Sequence, residues 1–139
     1  MNISKHSTST LSPVEAYIRA LREGRLMYQH CACGQSWLPP RFECPQCLRS
    51  AWSWREASGT ARLVSWVVYN VAYDEAFKNK LPYNVAIVEL DEGVRLISNI
   101  VGTPDGDGLV ADMRLALVLE REGDHVMARF KRAEDLEMS

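Results

Sequence analysis

All four cysteines of this chain fall between residues 31 and 47, inside the stretch HCACGQSWLPPRFECPQC. Nothing else in the sequence limits the fold as tightly. A short segment dense in Cys and Pro carries too little apolar surface to fold by burial alone and needs a metal or disulfides. Cys44 and Cys47 have the two-residue gap of a zinc knuckle, whereas only Ala32 separates Cys31 from Cys33. Gly34 lets the chain turn back after the first pair, and the ten residues from Gly34 to Glu43 give room for an excursion between the two turns. Structural zinc asks for four soft or borderline ligands at tetrahedral corners. Two sets meet that demand: Cys31, Cys33, Cys44 and Cys47, favoured because thiolate is the stronger ligand, or a set in which His30 takes the place of Cys31. Either leaves no corner for water, so the expected zinc is structural and not catalytic. Four reduced cysteines without metal are the plain alternative. A redox role for Cys44 and Cys47 would need a helix N-terminus beside a βαβ pattern, which the sequence does not offer.

Whether thiols stay reduced depends on the compartment. The opening residues MNISKHSTSTLSP are polar and contain no apolar signal core. No apolar run approaches the roughly 18 to 20 residues that span a bilayer. The expected address is therefore cytoplasmic, without membrane association, where clustered cysteines serve more often as ligands than as disulfide partners. Net charge is −2, from 16 basic and 18 acidic residues. A general nucleic-acid binder draws its affinity from a basic surplus, so that class is disfavoured.

Along the chain, residues 1–12 read as a mobile Ser/Thr-rich lead. Residues 13–25 read as a helix, with Ser12 as cap, Pro13 at its first position, Glu15 completing a capping box and Gly24 as its stop. Tyr17, Ile18 and Leu21 form its apolar face, turned to the chain's own core or to a partner. Residues 26–56 lack periodicity and hold the cysteines. Residues 57–135 turn β-branched and aromatic: TARLVSWVVYNVAY is one long strand, and NVAIVEL with VRLISNIV, then MRLALVLERE with HVMARFKR, make two hairpins. Leu115, Leu117 and Leu119 recur in period two between Arg114 and Glu120 and are the expected core, whereas GTPDGDG reads as an exposed loop and 136–139 as a tail. Val64, Val67 and Val68 around Trp66 and Tyr69 give that strand the look of core. Five strands of these lengths suit a small barrel of OB type, which manages its edges by closing.

The segments YQHCACGQSWLPPRFECPQC, SGTARLVSWVVYN, LPYNVAIVELDEGVRLISNIVG and ARFKRA resemble the family called domain of unknown function 35. The resemblance runs from about Pro13 to Ala133. It implies a mainly β fold: an N-terminal helix, a rubredoxin-like zinc ribbon, then a five-stranded OB-fold barrel. The family pattern has two residues between its first two cysteines, and this chain has one. Members accompany thiolase-like and hydratase enzymes, so the resemblance implies an accessory subunit of an acyl-CoA-processing enzyme, with acyl-CoA as a candidate ligand. The residues themselves show no Gly-x-Ser-x-Gly elbow, His-Glu-x-x-His or phosphate loop, and Asp91 and Glu92 in a turn read as solvated. For a CoA end, the candidates are Lys78 and Lys80 toward phosphates and Phe77 over an adenine, all in the loop DEAFKNKLP, with Arg41 as a further cation. The competing class is a single-stranded nucleic-acid module built from the same ribbon and barrel.

Overall fold

The computed structural model describes residues 11–70 and 81–133. Helix α1 spans Pro13–Arg22, and its first turn is fixed by a reciprocal cap. Ser12 Oγ accepts from the Glu15 N–H at 3.2 Å, and Glu15 Oε1 accepts from the Ser12 N–H at 2.9 Å. These bonds satisfy two of the donors that every helix start leaves open. Gly24 follows the helix at φ +88°, a conformation that costs glycine nothing. The helix packs on the strands Met27–Cys31 and His125–Arg132. Leu21 is buried in the main core with Tyr17 packed against it. The partner-facing option for those two side chains is thereby corrected: they belong to the chain's own interior.

Two sheets follow. The first is β2–β1–β3, with β1 (Met27–Cys31) in the centre, β2 (Ser36–Trp37) and β3 (Trp52–Glu56). Its long pairing runs antiparallel from Met27↔Glu56 to Cys31↔Trp52. The second has five strands in the order β6–β5–β4–β7–β8. These are β4 (Thr60–Tyr69), β5 (Tyr83–Leu90), β6 (Arg95–Ser98), β7 (Arg114–Glu122) and β8 (His125–Arg132). Both expected hairpins are present, the second turning through Gly123 and Asp124. The five-stranded sheet curls into a half-barrel until its outer strands meet, with a single parallel bridge joining Ile100 to Phe130. There the Val101 N–H donates to Phe130 O at 2.8 Å, and the Phe130 N–H donates to Asn99 O at 3.1 Å. This is the OB arrangement: a central strand paired on both sides and the edges brought together.

One core unites the helix, the start of the first sheet and the barrel. Leu21, Leu26 and Tyr28 pack with Leu63, Val88, Leu90, Leu115 and Phe130. Leu115 is fully buried, and Leu117 and Leu119 pack against that core from half-buried positions. A second, smaller cluster lies in the cysteine region: Cys31, Trp37 and Cys44, with Cys47 and Trp52 against them.

Three expectations are refined. The β4–β5 register shifts between Leu63 and Ser65, a bulge that changes which parity of β4 faces inward. Beyond it the strand leaves the core: Trp66 packs inward, but Val67 and Tyr69 are exposed. The GTPDGDG loop is mostly exposed as expected, with Thr103 buried within it and Leu109 buried just after it. Finally, Asp91 stays exposed, as expected, but both it and Glu92 make bonds to neighbouring elements. Asp91 accepts from Thr60 Oγ1 and from Arg114 Nη2, and Glu92 Oε2 accepts from the Ser58 N–H at 2.8 Å. They staple the first hairpin turn to the start of β4 and to β7. No helix among the described residues is long and apolar enough to cross a membrane.

Candidate functional site

The cysteine cluster is built by two tight turns held face to face. In the second, the N–H groups of Gln46 and Cys47 donate to Cys44 Sγ at 3.3 and 3.4 Å. Burial pushes the Cys44 thiol up. The Cys47 and Gln46 amides and the neighbouring Cys33 and Cys47 sulfurs outweigh it and hold the group at about 7. Leu48 closes this turn at φ +64°, an uncommon conformation for a leucine, and its side chain is largely exposed. In the first turn the Gly34 N–H donates to Cys31 O at 2.8 Å, with Gly34 at φ +101°.

All four sulfurs lie within 4.8 Å of one another. Cys31 Sγ is 3.6 Å from Cys47 Sγ, and Cys33 Sγ is 3.7 Å from Cys44 Sγ. All four are free thiols. A zinc ion at about 2.3 Å from each of four tetrahedral sulfurs sets an edge of about 3.8 Å. The cluster therefore has the dimensions and donor chemistry of a four-thiolate metal site. His30 is not drawn into it. Its Nδ1 lies 2.6 Å from Ser36 Oγ, across the β1–β2 pair. No carboxylate orients that ring among the described residues, so the Ser–His contact lacks the third member of a triad.

The backbone between the two turns is anchored from below. Gln29 is fully buried, its Oε1 accepting from the Arg41 N–H and its Nε2 donating to Arg41 O, both at 2.7 Å. The Arg41 side chain remains exposed on this fixed backbone. Trp52 Nε1 donates to Phe42 O at 2.8 Å, while the buried Trp37 Nε1 has no partner among the described residues. Phe77, Lys78 and Lys80 lie outside the described residues.

Two further surfaces stand out on the barrel. An open cleft of about 400 Å³ is lined by Tyr83, Asn99, Pro104, Glu120 and Arg129 among others. Arg129 is committed within the chain, to Glu120 at 3.4 Å, Glu122 at 3.3 Å and Asn99. Behind the cleft, buried Asn84 donates to Ile100 O and Thr103 O at 2.9 Å each and accepts from the Ile100 N–H at 2.7 Å. The outer face of β4–β5–β6 carries an apolar band. Val67 opposes Val85, Tyr69 stacks on Tyr83 at 5.0 Å, and Ile87 opposes Ile97, which is 73% exposed. Beyond the band, Glu89 is paired with Arg62 at 3.4 Å and Arg95 at 2.8 Å. Sequence reading missed Gln29 and Asn84. The available signal for Asn84 was its parity with Ala86, Val88 and Leu90, which places it on the inward face.

Comparison with known proteins gives consistent matches. Residues 54–131 match the family described as the ChsH2 C-terminal OB-fold domain. A probable enoyl-CoA hydratase alpha subunit of Thermomonospora curvata is 38% identical over 116 residues, covering 76% of this chain and 36% of that protein. A DUF35 domain-containing scaffold protein of Methanothermobacter thermautotrophicus is 46% identical over 70 residues, 50% of this chain and 52% of that one. The chain thus spans about a third to a half of the length of these relatives. The solved structure described as Ltp2-ChsH2(DUF35) aldolase superposes with a TM-score of 0.75 at 32% identity, covering 89% of this chain and 98% of that one. A DUF35-family protein of Sulfolobus solfataricus, at 16% identity and a TM-score of 0.64, shares the fold.

Proposed function

Because the chain belongs to the family of ChsH2 C-terminal OB-fold domains, we propose that it is a non-catalytic accessory subunit of an acyl-CoA-processing enzyme. The observation that carries this reading is the extent of one structural match. This chain covers 98% of a chain from the structure described as Ltp2-ChsH2(DUF35) aldolase. The hydratase-subunit and scaffold-protein names of its relatives point to the same setting. The partner in this proposal is a thiolase-like, aldolase or hydratase enzyme, and the apolar band with Ile97 is the surface offered to it. Stable interfaces have such apolar centres ringed by polar residues, and here the ion pairs of Glu89 lie along one side of the band. Arg41, Phe77, Lys78 and Lys80 are the residues proposed to face the CoA end of a thioester. Cys31, Cys33, Cys44 and Cys47 are proposed to hold one structural zinc, with His30 left to its bond with Ser36.

The test is co-expression with candidate thiolase-like, aldolase and hydratase enzymes from the same organism. A stable complex, with turnover that needs both chains and none from this chain alone, is the expected result. Thioester cleavage by the isolated chain overturns the reading. Tight, salt-sensitive binding of single-stranded nucleic acid would favour the competing module. The acidic pI of about 5.9 and the internal pairing of Arg62 and Arg129 argue against it.

A further inference from the structure

The two turns that carry the cysteines are not equivalent. Cys44 Sγ receives two backbone N–H bonds. In the shortened turn the amides are used elsewhere: Cys31 N–H donates to Gln35 O, Ala32 N–H to Ala51 O and Gly34 N–H to Cys31 O. Among the described residues, no backbone N–H reaches the sulfur of Cys31, Cys33 or Cys47, so exposure is what separates these three. Burial divides the four further. Cys31 is 1% exposed and Cys44 0%, and Cys47 packs into the small apolar cluster with Trp37 and Trp52. Cys33 alone is exposed and lies outside that cluster.

From this asymmetry we infer that Cys33 is a modification site, the corner of the metal centre that reacts with soft electrophiles such as alkylating carbon centres and small disulfides. The inference rests on the four-cysteine metal reading and adds to it which ligand is labile. Backbone N–H bonds withdraw charge from a thiolate and lower its nucleophilicity, while exposure sets the rate at which reagents arrive. Cys33 has no such bonds and is open to reagents. With an alkyl iodide, the sulfur lone pair forms a new S–C bond, the C–I bond breaks and iodide leaves. With a disulfide, a mixed disulfide forms at Cys33, the original S–S bond breaks and one half leaves as thiolate. Each product replaces an anionic ligand with a neutral sulfur, so the cluster loses its fourth thiolate and its hold on the metal. Cys31, the partner in the shortened turn, is shielded by burial and keeps its contact with Cys47.

The experiment treats the zinc-loaded full chain with iodoacetamide at less than one equivalent. Trypsin then separates Leu26–Arg41, which holds Cys31 and Cys33, from Phe42–Arg49, which holds Cys44 and Cys47. Fragmentation resolves the pair within each peptide. Cys33 is expected to carry at least about ten times the label of any other cysteine, with zinc appearing in solution in step with it. A glycine inserted between Ala32 and Cys33 restores the two-residue gap and should slow both events. Equal labelling of the four, or Cys47 reacting first in zinc-bound protein, overturns this inference alone. Failure of the chain to take up zinc overturns the metal reading with it. Unslowed labelling in the insertion variant removes the shortened turn as the cause and overturns the argument from it.

Discussion

Gln29 shows how much one buried polar side chain can organise. It sits in the middle of β1 with no exposure, and both its amide atoms are bonded to the backbone of Arg41. Gln29→Leu would remove both bonds to the Arg41 backbone, at a cost of about 0.5–1.5 kcal/mol each. The expected outcome is a lower urea midpoint and weaker zinc retention, followed by denaturation and metal analysis of the same samples. Unchanged values for both would show that the clamp contributes nothing. Glu89 makes a different point. Its bond from Arg95 holds the carboxyl below the usual range, with Arg62 adding to the effect against burial. A lowered folded-state value means that the stabilisation is present above the unfolded value of about 4.3 and is lost as pH falls through the folded one. Glu89→Gln should therefore flatten the fall of Tm between about pH 5 and pH 3. An unchanged acid limb would sink the assignment. At this scale the sequence was readable where the partners are close. The Ser12–Glu15 cap spans three residues and was plain. Gln29–Arg41 and Asn84–Ile100 reach 12 and 16 residues away, and no local pattern announces them.

Elements were readable to the extent that alternation was regular. The two hairpins follow from period two and short glycine-containing turns, and the fully buried Leu115 sits where the alternation put it. Strand β4 was misjudged because its bulge near Val64 interrupts the count. Residues that look like a continuous apolar core divide there into an inward Trp66 and an outward Val67 and Tyr69. The ribbon had no periodicity to follow, and its form came from cysteine spacing alone. The outward face of β4–β5–β6 yields the prediction at this scale. Ile97→Asp adds a charge at a site already 73% exposed, so folding stability should shift by no more than about 0.5 kcal/mol. Assembly with the acyl-CoA enzyme should fail, as judged by co-elution in size-exclusion chromatography. Retained assembly would assign the contact to another surface.

The molecule as a whole has two apolar clusters of unequal standing. Cys31, Cys44 and Cys47 pack in the smaller one, whereas Leu26 and Tyr28 tie the base of the ribbon into the main core. Chelation should therefore loosen residues around Cys31, Trp37 and Cys44 and leave the strand signal of the barrel in place. Trp fluorescence and far-UV circular dichroism report these separately, and loss of both together would contradict the division. The parallel bridge from Ile100 to Phe130 carries a consequence for how the chain folds. It joins residues 30 apart in sequence, whereas β7 and β8 meet through a two-residue turn. Contacts that close long loops form late, after local hairpins have restricted the search. A seam of two backbone hydrogen bonds between sheet edges is also the natural place for the folded barrel to open. Amide hydrogen exchange should find Val101 and Phe130 giving up their protons before the β4–β5 ladder does. The seam of the barrel would then be the hinge through which it breathes.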